Sequence, residues 1–276
     1  MCLVALSLGQ SRRYPLVIAA NRDEYLDRPA VPLDWWQPWL DGPRVLSGQD
    51  LQAGGTWMGA TAEGRVALVT NVRQPFTPEA QAPSRGTIVL NWLRGDLPAE
   101  RFWPRTALTG YAPFNLLAAD FPAGEFFWTS NMQPHPQRLT PGLYGLSNAA
   151  LDTPWPKVLR LKQALGQAVR QEAPLPAFCE TLFAALADPT PAADVDLPYT
   201  GVPQATERML SAAFIRSPDG RYGTRCSTLL ICEARADGVV LHMLERQHQP
   251  EVAQRSFQMT PWPPGGLPLP GLAARR

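Results

Sequence analysis

The chain opens on an unbroken apolar run, Cys2-Leu-Val-Ala-Leu-Ser7, that ends at Gly9 and reads as a buried strand. Short apolar or alternating segments follow at 16–20, 45–48, 56–60 and 65–71, parted by Gly, Pro, Asp and Gln, and these predict further strands. Residues 85–93 and 98–108 carry helical spacing, and strand character returns at 115–120, 126–131 and 143–148. The next helix is the clearest. Thr153 is a candidate cap, Pro154 suits a first helical position, and Val158, Leu161, Leu165, Ala168 and Val169 form one stripe. A second helix spans about 175–187, and the Pro-rich stretch 189–203 reads as a connecting loop. Strands at 212–215, 224–233 and 239–246 complete the set, with Asp237-Gly238 marking a hairpin turn. This order, strands interrupted by paired helices rather than strict βαβ alternation, predicts an α+β layered domain over 1–260 and a loosely held Pro/Gly-rich tail over 261–276.

Composition narrows the chemistry. In 276 residues, 45 % hydrophobic content supports a sizeable core, and a formal net charge of +1 gives little electrostatic support for binding nucleic acid. Lys157 and Lys162 are the only lysines and neither follows a Gly-rich loop, which disfavours Schiff-base and P-loop chemistry. No export signal and no apolar run of about 20 residues is visible, so the expectation is a cytoplasmic protein without a transmembrane segment. Cys226 and Cys232 sit in one extended run, roughly 20 Å apart at about 3.3 Å per residue, beyond disulfide reach. Cys179 falls in an apolar helical stretch, and His135, His242 and His248 match no zinc spacing, so no metal site is expected.

Cys2 carries the sharpest signal. If Met1 is removed, one residue offers a thiol and a free α-amine, the latter titrating near ~8, so that the amine can accept the thiol proton. The competing reading is a small buried hydrophobe. Asn21-Arg22-Asp23-Glu24 lies beside Cys2 if the first two strands form a hairpin around residues 9–14, which would let Asp23 orient the amine and Arg22 hold an anionic group. Alone, that tetrapeptide reads equally as a solvated charged turn.

The motifs Asn21-Arg22-Asp23-Glu24, Gly54-Gly55-Thr56-Trp57, Ser84-Arg85-Gly86, Gly145-Leu-Ser-Asn148, Pro154-Trp155-Pro156-Lys157 and Tyr222-Gly223-Thr224-Arg225, with Cys2 ahead of them, resemble the NRDE or transport and Golgi organisation family. That family is similar to N-terminal-nucleophile hydrolases of the bile-salt hydrolase and penicillin acylase branch. The resemblance implies a four-layer αββα sandwich, Cys2 as nucleophile, Asp23 as the acidic partner, and Asn71 and Asn148 as active-site amides. Arg22 does not align with the arginine those hydrolases place three residues before the aspartate. Asn21, Arg22, Glu24, Arg73, Arg85 and Arg225 are the candidate ligand contacts.

Two functions are expected from this pattern. The first is hydrolysis of an amide or thioester, requiring no cofactor. The second is a non-catalytic carrier of haem or an acyl-coenzyme A or lipid-like ligand in the same cleft, with Cys2 or a histidine as the haem ligand. Trp35, Trp36 and Trp39 offer an apolar wall or simple surface packing.

Overall fold

The computed structural model describes residues 2–74, 82–95 and 97–266. The opening apolar run forms β1 (Cys2–Leu8), which turns at Gly9, in the left-handed region at φ 63°, and pairs antiparallel with β2 (Leu16–Tyr25). Both strands are buried on both faces, so they read as continuous apolar runs rather than alternating ones. β1 is flanked on its other side by β10 (Gly142–Leu146). β2 is flanked by the long β11 (Tyr222–Arg235), which turns back into β12 (Gly238–Gln247) and then β13 (Ala253–Met259). This first sheet has the order β10-β1-β2-β11-β12-β13.

The second sheet is a meander of β3 (Ala30–Trp36), β4 (Val45–Asp50), β5 (Met58–Thr61), β6 (Arg65–Asn71), β7 (Phe114–Asp120), β8 (Glu125–Ser130) and the short β9 (Gln137–Arg138). The even-numbered positions of β1 and β2, such as Val4, Leu6 and Ile18, meet Leu68, Leu117 and Trp128 in a core between the sheets. Their odd-numbered neighbours Leu3, Ala5, Val17 and Ala19 pack outward on α3 (Pro156–Gln171) and α4 (Leu175–Leu186). On the far side, Ala67, Val69, Leu116 and Ala118 pack on α1 (Gly86–Arg94) and α2 (Ala99–Ala107). The result is an α+β protein in four αββα layers.

Several details depart from the sequence reading. The third helix starts at Pro156, not after Thr153. Pro154 and Pro156 favour extended backbone in the residues before them, Trp155 sits at ψ 141°, and the Thr153 hydroxyl bonds the Ala150 carbonyl instead of capping. Residues 212–215 form no strand, because Phe214 N–H donates to the Asp188 carbonyl and Ile215 N–H to the Thr224 hydroxyl. The stretch expected to be loop contains a 3-10 turn at Asp194–Asp196 and is followed by α5 (Gln204–Leu210). Trp262, placed in a loose tail, is 1 % exposed and donates its indole N–H to the Thr61 carbonyl at 2.8 Å; residues 267–276 of that tail lie outside the described residues.

Candidate active site

β1 begins, β2 and β6 end and β11 begins at one end of the sandwich, and their side chains enclose a cleft of about 320 Å³. Cys2 lies on its floor, 7 % exposed, with its thiol facing the Val69 carbonyl at 4.0 Å. Burial pushes that thiol above its ordinary range, the buried Asp23 carboxyl adds to the rise, and Arg22 opposes it.

Strand alternation sorts the tetrapeptide of β2 onto two faces. Arg22 stands opposite Cys2 in the register and lines the cleft with Glu24, its guanidinium 3.8 Å from both the Glu24 and the Asp50 carboxylates. Asn21 points the other way. Its amide donates to the Leu186 and Ala213 carbonyls at 2.8 and 2.9 Å and accepts from Ser227 at 2.6 Å, so it ties the helical layer to the sheet and does not reach the cleft. Asp23 shares Asn21's helix-facing side, accepts from Thr224 Oγ1 at 2.7 Å, and borders the cleft where the strand begins to open. Burial pushes its carboxyl up, and Lys157 is the strongest influence pulling it back.

A bulge shapes the opposite wall. Thr224 pairs with Asp23 and Cys226 with Arg22, which leaves Arg225 as an extra residue in β11. Arg225 and Cys226 therefore both enter the cleft, while Thr224 and Ser227 on either side face the helices. Arg225 donates to the Tyr25 and Arg28 carbonyls. Arg85, at the start of α1, donates to the Pro113 carbonyl at 3.0 Å. Burial lowers both guanidiniums, and among the described residues neither has a carboxylate within ion-pair distance.

Asn71 ends β6 and lines the cleft near Cys2. Asn148 does not face it. Its amide donates to the Asn71 carbonyl at 2.8 Å, its own carbonyl accepts from Arg73 N–H at 2.7 Å, and the adjacent Ser147 hydroxyl donates to the Cys2 carbonyl at 2.9 Å. Ser147 and Asn148 thus hold the backbones of Cys2 and Asn71 together. Arg73 is also outside the cleft: it pairs with Glu207 at 2.5 Å and lies over the Trp155 ring at 4.9 Å.

Sequence reasoning missed Cys226 and Glu245 as cleft residues. Cys226 needed the bulge, which no local signal announces. Glu245, from β12, lines the cleft and accepts from Leu33 N–H at 2.8 Å. Trp57 is the tryptophan at the cleft, whereas Trp36 bonds Ser47 elsewhere. Gly54-Gly55 forms a turn, Gly54 at φ 71°, with the Gly55 backbone against Gly86. None of the three histidines lines the cleft, and no group of three or more metal-ligating side chains occurs among the described residues.

A model of the family described as Transport and Golgi organisation 2 matches residues 1–250. The chain belongs to that family. The human Transport and Golgi organization protein 2 homolog is 35 % identical over 254 residues, covering 85 % of this chain and 89 % of the human one. The mouse Transport and Golgi organization 2 homolog is 33 % identical over the same length and shares. The solved structures that match include the C2A mutant of the conjugated bile acid hydrolase of Clostridium perfringens, at TM-score 0.49 and 8 % identity over 93 % of this chain and 92 % of that one. Another is the Caenorhabditis elegans ortholog of N-acylethanolamine-hydrolyzing acid amidase, at TM-score 0.46 and 10 % identity over 83 % and 92 %. The four layers and the cleft described above stand on this chain's own geometry. No helix among the described residues is long and apolar enough to cross a membrane.

Proposed function

We propose that this protein is a cysteine N-terminal-nucleophile hydrolase that cleaves an amide or thioester bond of a small or lipid-like acyl compound. The observation that carries the reading is the convergence of Cys2, Asp23 and Asn71 on one cleft, with the thiol and the carboxylate on opposite faces of the same sheet. Asp23 follows Arg22, the register partner of Cys2, and lies on the helix side of the strand, where the α-amine rather than the thiol would meet it once Met1 is removed. The amine takes the thiol proton, Sγ adds to the carbonyl carbon, and Asn71 donates to the oxyanion. Collapse passes that proton to the leaving nitrogen or sulfur, and water then releases the acid and regenerates the thiol. Arg85 and Arg225, each bonded to backbone carbonyls, suit an anionic group on the substrate.

The experiment is intact mass and N-terminal sequencing of untagged protein, followed by a panel of acyl amides and acyl thioesters with wild type and Cys2→Ala. Loss of Met1 with turnover that disappears in Cys2→Ala is the expected result. Retention of Met1, or turnover that survives Cys2→Ala, overturns the reading.

One observation favours a carrier in the same cleft, for acyl-coenzyme A rather than for haem: burial raises the Cys2 thiol, against thiolate ligation of iron, while Arg85 and Arg225 have no carboxylate within ion-pair distance among the described residues. Saturable binding of a non-hydrolysable acyl ligand, lost in Arg85→Ala and indifferent to Cys2→Ala, supports that reading for acyl groups. A haem Soret shift abolished by Cys2→Ala supports it for haem.

A further inference from the structure

The core between the sheets is packed from apolar side chains such as Leu68, Leu117 and Leu146, yet one run of buried polar groups crosses it. The Trp128 indole of β8 donates to Asn115 Oδ1 of β7 at 3.2 Å. The Asn115 amide donates to Thr70 Oγ1 of β6 at 3.1 Å and to the Ala149 carbonyl at 2.9 Å. Thr70 Oγ1 in turn donates to the Ser147 carbonyl at 2.7 Å. The Ser147 hydroxyl donates to the Cys2 carbonyl at 2.9 Å, with Asn148 Oδ1 farther off at 3.3 Å. Counting the Arg73 N–H on the Asn148 carbonyl, three successive carbonyls after β10 each accept a bond from the second sheet or its immediate continuation. Thr70 and Asn115 are wholly buried, and neither lines the cleft.

Cys2 belongs to the first sheet and Asn71 to the second. Ladders fix the strands within each sheet, but apolar packing between sheets is non-directional and leaves their relative offset loosely set. Hydrogen bonds are directional, and a satisfied buried network specifies one arrangement. The Thr70 bond lands on the residue that holds the Cys2 carbonyl. Thr70 itself stands between Asn71 and Val69, whose carbonyl the thiol faces. We propose that Thr70 and Asn115 are positioning residues: through Ser147 they set the offset between the sheets that aligns Cys2 with the Asn71 amide when the oxyanion forms. This rests on the reading of Cys2 as nucleophile and Asn71 as oxyanion donor.

The test compares two reagents at the Cys2 thiol of Met1-free protein, each followed by peptide mass. With p-nitrophenyl acetate, Sγ adds to the ester carbonyl, the tetrahedral oxyanion expels p-nitrophenolate, and an acetyl thioester remains. With iodoacetamide, Sγ displaces iodide and no oxyanion forms. Asn71→Ala should slow acetylation about 10²–10³-fold and spare alkylation. Thr70→Val, which keeps the shape and removes the hydroxyl, should slow acetylation about tenfold, spare alkylation, and add nothing to Asn71→Ala. Thr70→Ser, which returns the hydroxyl, restores acetylation. Ser147→Ala removes the donor to the Cys2 carbonyl; it should behave as Thr70→Val does, and it serves if that variant does not fold. Wild-type acetylation in these variants, a loss shared equally by alkylation, or a loss that multiplies with Asn71→Ala overturns the proposal while leaving the nucleophile reading intact. Failure of the wild type to be acetylated at Cys2, or acetylation unmoved by Asn71→Ala, overturns that reading and the proposal with it.

Discussion

At the residue scale, the four letters of the Asn21–Glu24 motif do separate jobs because they lie on a strand. Asn21 is a fastener: removing its amide leaves the Leu186 and Ala213 carbonyls and the Ser227 hydroxyl without their partner. Asn21→Ala should therefore cost about 2–4 kcal/mol of stability, read from urea denaturation, since each buried group left unsatisfied costs about 1–3 kcal/mol. Turnover per folded molecule should survive. Asn71→Ala should show the opposite split, near-native stability with kcat lowered about 10²–10³-fold, the usual cost of removing one oxyanion donor. Equal loss of kcat in both variants would contradict the division of faces. Cys2→Ala should leave the fold intact and turnover absent, measured by circular dichroism and by product release.

At the element scale, the sequence disclosed what periodicity and turn chemistry control. The β1–β2 hairpin around Gly9, the stripe of α3 and the Asp237-Gly238 turn were legible because burial on a fixed period and left-handed glycines are local signals. β13 was not, because an edge strand that is exposed over most of its length shows no apolar alternation. Nor was α5, seven residues held by Glu207 and Leu210 through Arg73 and Lys157, far away in sequence. The site was legible as residue types and illegible as faces: a strand running on to Tyr25 puts Asn21 behind the sheet, and a bulge puts both Arg225 and Cys226 in front of it. The Gly55–Gly86 contact is another non-local feature. A Cβ on Gly55 would lie 2.6 Å from the Gly86 carbonyl carbon, so Gly55→Ala must push α1 away. The expected cost is about 1–3 kcal/mol by thermal denaturation. Weaker binding of anionic ligands should accompany it, because Arg85 rides at the start of that helix; unchanged binding would separate Arg85 from ligand capture.

At the scale of the whole molecule, buried ionisable groups govern the response to alkali. Burial raises the Cys2, Cys226 and Cys232 thiols, and Cys179 to about 11, so these protons are retained in the folded chain after the unfolded chain has released them. Their stabilising share is complete below the unfolded thiol value near ~8.5 and falls by about 1.4 kcal/mol per group for each pH unit above it, until each folded-state value is reached. Lys157 runs the other way. Its folded value of about 8 lies below the unfolded one, so its contribution rises from there to ~10.4. Four thiols outweigh one lysine, and the urea midpoint should fall between pH 8.5 and 10. Cys232→Ala should flatten that fall even though it lowers the plateau, and an identical slope would assign the alkaline loss to other groups. The burial of Trp262 has a consequence in time rather than in energy. Its ring packs on Phe121 and caps the core beneath Thr61, so the ribosome delivers this plug after every residue it touches. Until residue 262 is in place, Phe121 and the end of the shared core beside it lack this cover, so a chain that stops short of it cannot close the sandwich.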